Sequence, residues 1–247
     1  MKKRTIIAIS LLLIMLAAAI LLSLFYFGIL HINNPRRSDY PVFGVDVSAY
    51  QGEVDWKVLA AQDISFAYIK ATEGSSFTDK CFAYNWENAA ESGLRIGAYH
   101  FFSFESAGET QAHHFTETVE PVADMLPPVV DVEFYGRFQT PQDIDTQAVA
   151  EELRSFVDQV TEDYGMKPVI YASKESYESI IKNRFDDCDL WLRSVYSTID
   201  RNTDWTFWQF SNRHRLQGYK GEEKYIDMNV FCGSVEEFMA YPERNPD

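Results

Sequence analysis

In the run Pro127-Pro128-Val129-Val130-Asp131-Val132-Glu133-Phe134, two carboxylates stand two residues apart on what reads as a buried strand. Side chains alternate between the faces of a strand, so Asp131 and Glu133 point one way while Val130 and Val132 pack the other way. Two acids then share a small space. Their repulsion raises the pKa of at least one and readies it to hold and release a proton near neutral pH. Such a pair can cleave a glycosidic bond, one carboxyl protonating the leaving oxygen while another stabilises or attacks the sugar. A strand ending in solvent would leave both acids hydrated, and the apolar residues around the pair argue against that.

The elements that would position this pair alternate along the chain. Strand-like segments at 42–47, 66–71, 96–102, 129–134 and 168–172 are separated by helical ones at 56–62, 79–92, 107–119 and 146–164, with Gly93, Pro121 and Gly165 as stop signals. Beyond a helix at 176–182 the pattern changes. Strands at 190–195, 206–210 and 225–230 leave little room for helices between them, and a last helix covers 235–241. Eight strands, the first five or six joined by helices, predict a closed β/α barrel that loses its helices late. An open doubly wound sheet is the competing topology, but no glycine-rich phosphate loop follows the first strand. Barrels carry their chemistry at the C-terminal ends of strands. Asp46 ends strand one, Asp131 and Glu133 end strand four, and Asp227 lies on strand eight, next to strand one, so four acids are expected at one mouth.

The chain opens on basic residues, Lys2, Lys3 and Arg4, followed by an uncharged, mostly apolar run over 5–30. A secretory core is usually about 7–15 residues and a bilayer span about 20, so the run predicts a retained transmembrane anchor with its N-terminus in the cytoplasm and the rest outside. Residues 1–30 are therefore read as basic tip and anchor, 31–41 as a linker bracketed by prolines, and 42–247 as one catalytic barrel. A linker of about ten residues reaches at most about 35 Å and would keep the barrel near the membrane.

Net charge is −15, and without Lys2, Lys3 and Arg4 the external part stands near −18. That balance argues against nucleic acid and anionic lipid as ligands. Cys81, Cys188 and Cys232 lack C-x-x-C spacing and paired histidines, which argues against a structural zinc site and leaves either one disulfide or three packed thiols. No G-x-S-x-G or H-E-x-x-H motif is present; adjacent His113 and His114 read as surface residues of a helix and His100 as a hydrogen-bonded structural residue. No metal or cofactor is expected.

These segments resemble glycoside hydrolase family 25, lysozyme-like muramidases. The matching stretches are Gly44-Val45-Asp46-Val47-Ser48-Ala49-Tyr50-Gln51-Gly52, Asp55-Trp56, Phe66-Ala67-Tyr68-Ile69-Lys70-Ala71-Thr72-Glu73-Gly74 and Gly97-Ala98-Tyr99-His100-Phe101-Phe102. They continue through Val130-Asp131-Val132-Glu133-Phe134, Pro168-Val169-Ile170-Tyr171, Leu190-Trp191, Trp208-Gln209-Phe210-Ser211 and Ile226-Asp227-Met228-Asn229, so the likeness runs over 42–231 in order. The resemblance implies an irregular (β/α)5(β)3 barrel that cuts the β-1,4 bond between N-acetylmuramic acid and N-acetylglucosamine in peptidoglycan glycan strands. It implies Glu133 as proton donor, Asp131 orienting or stabilising the reacting N-acetyl sugar, and Asp46 and Asp227 completing an acidic groove. The acid's partner is either a carboxylate or the substrate's own N-acetyl group. Tyr99, Tyr171, Trp191 and Trp208 in matched segments are candidates to stack on sugar rings, with barrel core as the competing role, and Gln209 and Glu73 are candidates to bind hydroxyl or acetamido groups. Arg193 departs from the family, which usually has a small residue there. By alternation it follows Trp191 toward the mouth, or else it leans into solvent. The competing function is a catalytically weak or inactive wall-binding module tethered to the membrane.

Overall fold

The computed structural model describes residues 2–200 and 202–242; the last stretch of the expected barrel domain, 243–247, lies outside the described residues. Nine strands form one sheet: β1 (Phe43–Val47), β2 (Phe66–Glu73), β3 (Phe77–Thr78), β4 (Arg95–Phe101), β5 (Val129–Val132), β6 (Val169–Ser173), β7 (Leu190–Arg193), β8 (Phe207–His214) and β9 (Ile226–Phe231). Eight of them close on themselves through the parallel pairing of β1 with β2, which excludes the open sheet. The ninth, β3, is a two-residue hairpin arm folded back on the end of β2. Strands β1 to β8 on the wall run parallel, and β9 is antiparallel to both β8 and β1.

Helices α2 (Trp56–Ala60), α3 (Phe82–Ala90), α4 (Gly108–Thr118), α5 (Thr146–Tyr164) and the short α6 (Lys174–Ser176), which runs into a π turn, lie between strands, and α7 (Val235–Ala240) follows the last. Their limits follow local chemistry. Asp145 caps α5 by accepting from the amides of Gln147 and Ala148, and Gly165 ends it in the left-handed region at φ 66°.

Alternation sorts each strand into two layers. Outward residues such as Val45, Ala67, Ile69, Val130 and Ile170 pack under the helices, while Phe66, Tyr68, Trp191, Phe207 and Phe231 fill the interior. Two of these rings occupy space that glycine leaves: a Cβ on Gly44 would collide with the Phe66 ring, and one on Gly97 with the Tyr68 ring. Phe238 of α7 closes the floor, its ring centroid 5.5 Å from Phe66 and 5.3 Å from Phe231.

Helix α1 (Lys2–Tyr26) contains an 18-residue stretch of mean hydropathy 2.9 and buries no residue against the barrel. The segment 31–41 is not a free linker. Its His31 ring stacks at 3.7 Å on His214 at the end of β8, burial lowering the pKa of both rings. Asn33 donates to the carbonyls of Ser194 and Ser197, and Tyr40 meets Trp205 and Trp208 at the start of β8. The chain then reaches β1 where the Phe231 amide donates to the Val42 carbonyl. It is a strap laid down the barrel wall from mouth to floor.

Candidate active site

Four inward positions at one end of the barrel carry acids. Asp46, Asp131, Glu133 and Asp227 line a single cavity of about 460 Å³, together with Tyr50, Lys70, Tyr99, Tyr171, Trp191, Arg193 and Gln209. Asp227 arrives by a different route from the others. Because β9 runs backwards, the mouth meets the start of that strand, and Asp227, its second residue, pairs in register with Asp46. Strand β5 ends at Val132, one residue short of Glu133, so the proposed acid stands on the loop just above Asp131.

A hydrogen-bonded frame fixes one wall. Asp46 Oδ2 accepts from Asn229 Nδ2 at 2.8 Å and Gln209 Nε2 at 3.0 Å, and the same Gln209 nitrogen lies 3.4 Å from Asp227 Oδ2. Gln209 Oε1 in turn accepts from the Tyr171 hydroxyl, and Asn229 Oδ1 from Trp191 Nε1. Burial raises the pKa of both Asp46 and Asp227, and the neighbouring Asp46 charge pushes Asp227 further, well above its ordinary value.

The opposite wall is less satisfied. Asp131 Oδ1 is buried with no hydrogen-bond partner among the described residues. Burial, then the neighbouring Glu133 charge, hold the Asp131 pKa well above its ordinary value, against the pull of Lys70. Glu133 is raised by burial and drawn back by Arg193. Arg193 therefore faces the mouth and not solvent; its charge favours ionisation of all four acids.

Two of the expected sugar contacts lie elsewhere. Trp208 points outward from β8, donating Nε1 to the Ser194 carbonyl and packing against Trp205 and Phe210, because Phe207 and Gln209 take the inward positions. Glu73, at the end of β2, stands outside the cavity lining and pairs with Lys70 at 2.7 Å. Trp191 is the floor of the cavity, packed on Tyr68 and Tyr171 with its nitrogen committed to Asn229. Tyr50, 66% exposed at the rim, is the accessible aromatic platform. Asn229, Lys70 and Tyr50 went unassigned in the sequence, although the i, i+2 rule that pairs Asp131 with Glu133 also joins Asp227 to Asn229. His100 sits in the wall, hydrogen-bonded to Thr72 and Gln111, its pKa pushed down to about 3 by burial. All three thiols are free, Cys81 and Cys188 buried and Cys232 exposed.

The family model for glycosyl hydrolases family 25 matches residues 45–219. A solved family 25 glycosyl hydrolase from Bacillus anthracis superposes with a TM-score of 0.79 at 46% identity, covering 86% of this chain and 97% of that one. Among curated proteins, the uncharacterized protein YegX of Escherichia coli is 35% identical over 83% of this chain and 74% of its own length. Lysozyme M1 of Streptomyces globisporus is 30% identical over 81% and 70%.

Proposed function

The chain belongs to glycosyl hydrolases family 25 and is a glycoside hydrolase, and from that premise we propose that it is a membrane-anchored N-acetylmuramidase, cutting the β-1,4 bond between N-acetylmuramic acid and N-acetylglucosamine in peptidoglycan. The observation that carries the chemistry is the free, buried Asp131 Oδ1 beside a Glu133 that burial keeps prone to protonation. Glu133 gives its proton to the glycosidic oxygen as the C1–O bond breaks. Asp131 Oδ1 accepts the N–H of the 2-acetamido group and turns that group's carbonyl oxygen toward C1, where it offsets the positive charge that develops as the bond breaks. Water then opens the resulting bicyclic cation at C1 while the Glu133 carboxylate takes the water's proton. Asp46 supports this N-acetyl route over direct carboxylate attack, because one of its oxygens already accepts two hydrogen bonds and is a poor nucleophile. Tyr99, Tyr171 and Gln209 shape the sugar site, and Tyr50 offers a stacking face at its rim.

Helix α1, at about 1.5 Å per residue, is long enough to cross a hydrocarbon core of about 30 Å. With Lys2, Lys3 and Arg4 at one end it anchors the chain with the barrel outside. We divide the chain into anchor (1–30), strap (31–41) and catalytic barrel (42–247). Mass spectrometry of products from purified peptidoglycan tests the bond. New reducing N-acetylmuramic ends are expected; new reducing N-acetylglucosamine ends would sink the assignment, and the absence of cleavage would favour a wall-binding module.

A further inference from the structure

Where α1 ends, the barrel surface changes character. The Tyr26 carbonyl, the last of the helix, accepts from Arg213 Nη1 at 2.7 Å and from the Tyr225 hydroxyl at 3.2 Å. Gly28, at φ +64°, packs so closely on the Arg213 carbonyl that a Cβ would collide with it. Around Tyr225 three cations gather: the Arg213 and Arg215 guanidinium carbons lie 5.6 and 5.1 Å from its ring centroid, and Lys224 Nζ lies 4.9 Å from it and 6.0 Å from that of Phe27. Next to them Tyr26, Phe27, Ile29, Leu30 and Ile32 remain exposed. Basic groups over aromatic and aliphatic side chains at the end of a membrane span are the composition of a bilayer interface.

We propose that this collar, Arg213, Arg215 and Lys224 with the exposed Tyr26, Phe27, Ile29, Leu30 and Ile32, seats the barrel on the anionic phospholipid headgroups of its own membrane. The proposal rests on the reading of α1 as an anchor and adds an orientation to it. Net charge hides the feature: the acids that set the overall balance lie elsewhere, with Glu222 and Glu223 the acidic residues on the same loop, and Glu223 turned to the catalytic cavity. The attraction of basic side chains to such a surface fades within a Debye length of about 10 Å. Position makes the seating consequential. Asn212, one residue from Arg213, lines the catalytic cavity, as does Tyr225. A seated collar holds the mouth beside the lipid surface, so the glycan within reach is the layer of wall nearest the membrane.

The test uses full-length protein reconstituted in vesicles of phosphatidylcholine with an equal amount of phosphatidylglycerol. A nitroxide is placed in turn at Glu222→Cys (with Cys232→Ser) and at native Cys232, which lies just past the floor end of β9 and is the exposed thiol. The expected result is a label at 222 several-fold less accessible to an aqueous nickel chelate than the label at 232. The difference should shrink in phosphatidylcholine alone, in high salt, and in the combined variant Arg213→Gln, Arg215→Gln, Lys224→Gln. Equal accessibility at both sites in protein that floats with the vesicles would overturn the collar. Protein that fails to float would overturn the anchor instead. The salt series on the unaltered side chains keeps the test valid if the triple variant folds poorly.

Discussion

At the residue scale, the acid pair gives the sharpest expectations. Glu133→Gln keeps shape and hydrogen bonding but delivers no proton, so turnover on peptidoglycan should fall by about 10²–10⁴ with the fold intact. Asp131→Asn should also depress turnover, and it should raise the melting temperature at neutral pH. The sign follows from the raised pKa of Asp131 in the fold: ionising it there costs more than in the unfolded chain, so its burden grows as pH rises from about 4 toward the folded value. Thermal melts across pH should show the variant's gain at pH 7 vanish below about pH 4, where the native carboxyl is protonated in both states. Arg193→Ala removes the charge that holds all four acids down, so both limbs of the pH–activity profile should move to higher pH; an unmoved profile would show that its field does not reach the reacting pair. The convergence of the four acids was legible from strand position alone. Trp208 was not, because an aromatic in a matched segment carries no sign of which face it takes until the register is known. Lys70 was hidden for a related reason, since a cation at the end of an apolar strand reads as solvent-exposed.

At the element scale, the eight wall strands and the helix α5 with its Gly165 stop were readable from periodicity and punctuation. Strand β3 was not, being two residues whose pairing with β2 is wholly non-local. Nor was the direction of β9, which short strands with short connections do not encode. The same packing makes a test. Gly97 on β4 leaves the space that the Tyr68 ring fills, and overpacking a closed interior typically costs about 1–3 kcal/mol. Gly97→Ala should lower the unfolding free energy by that order, read as a lower midpoint at unchanged slope in chemical unfolding; an unchanged midpoint would mean that the interior rings have room to shift.

At the scale of the whole molecule, the reading that places the barrel outside and the helix in the bilayer expects the protein in the membrane fraction. Recovery mainly in the medium, cut after the apolar run, would show α1 to be a removable leader. Composition disclosed the long apolar helix but not the strap, because Asn33 and Tyr40 find their partners about 160 residues away in sequence, beyond any local pattern. That strap also decides where mechanical load enters. A chain leading straight from membrane to β1 would pull on the floor of the barrel, lengthwise along β1, and shear its seams with β2 and β9. With the strap laid down the wall and Tyr26 held at the rim, a glycan in the mouth and the lipid anchor of the proposed membrane-bound muramidase pull on the same end. Tension between wall and membrane then passes through the rim, and the hydrogen-bonded staves below carry little of it.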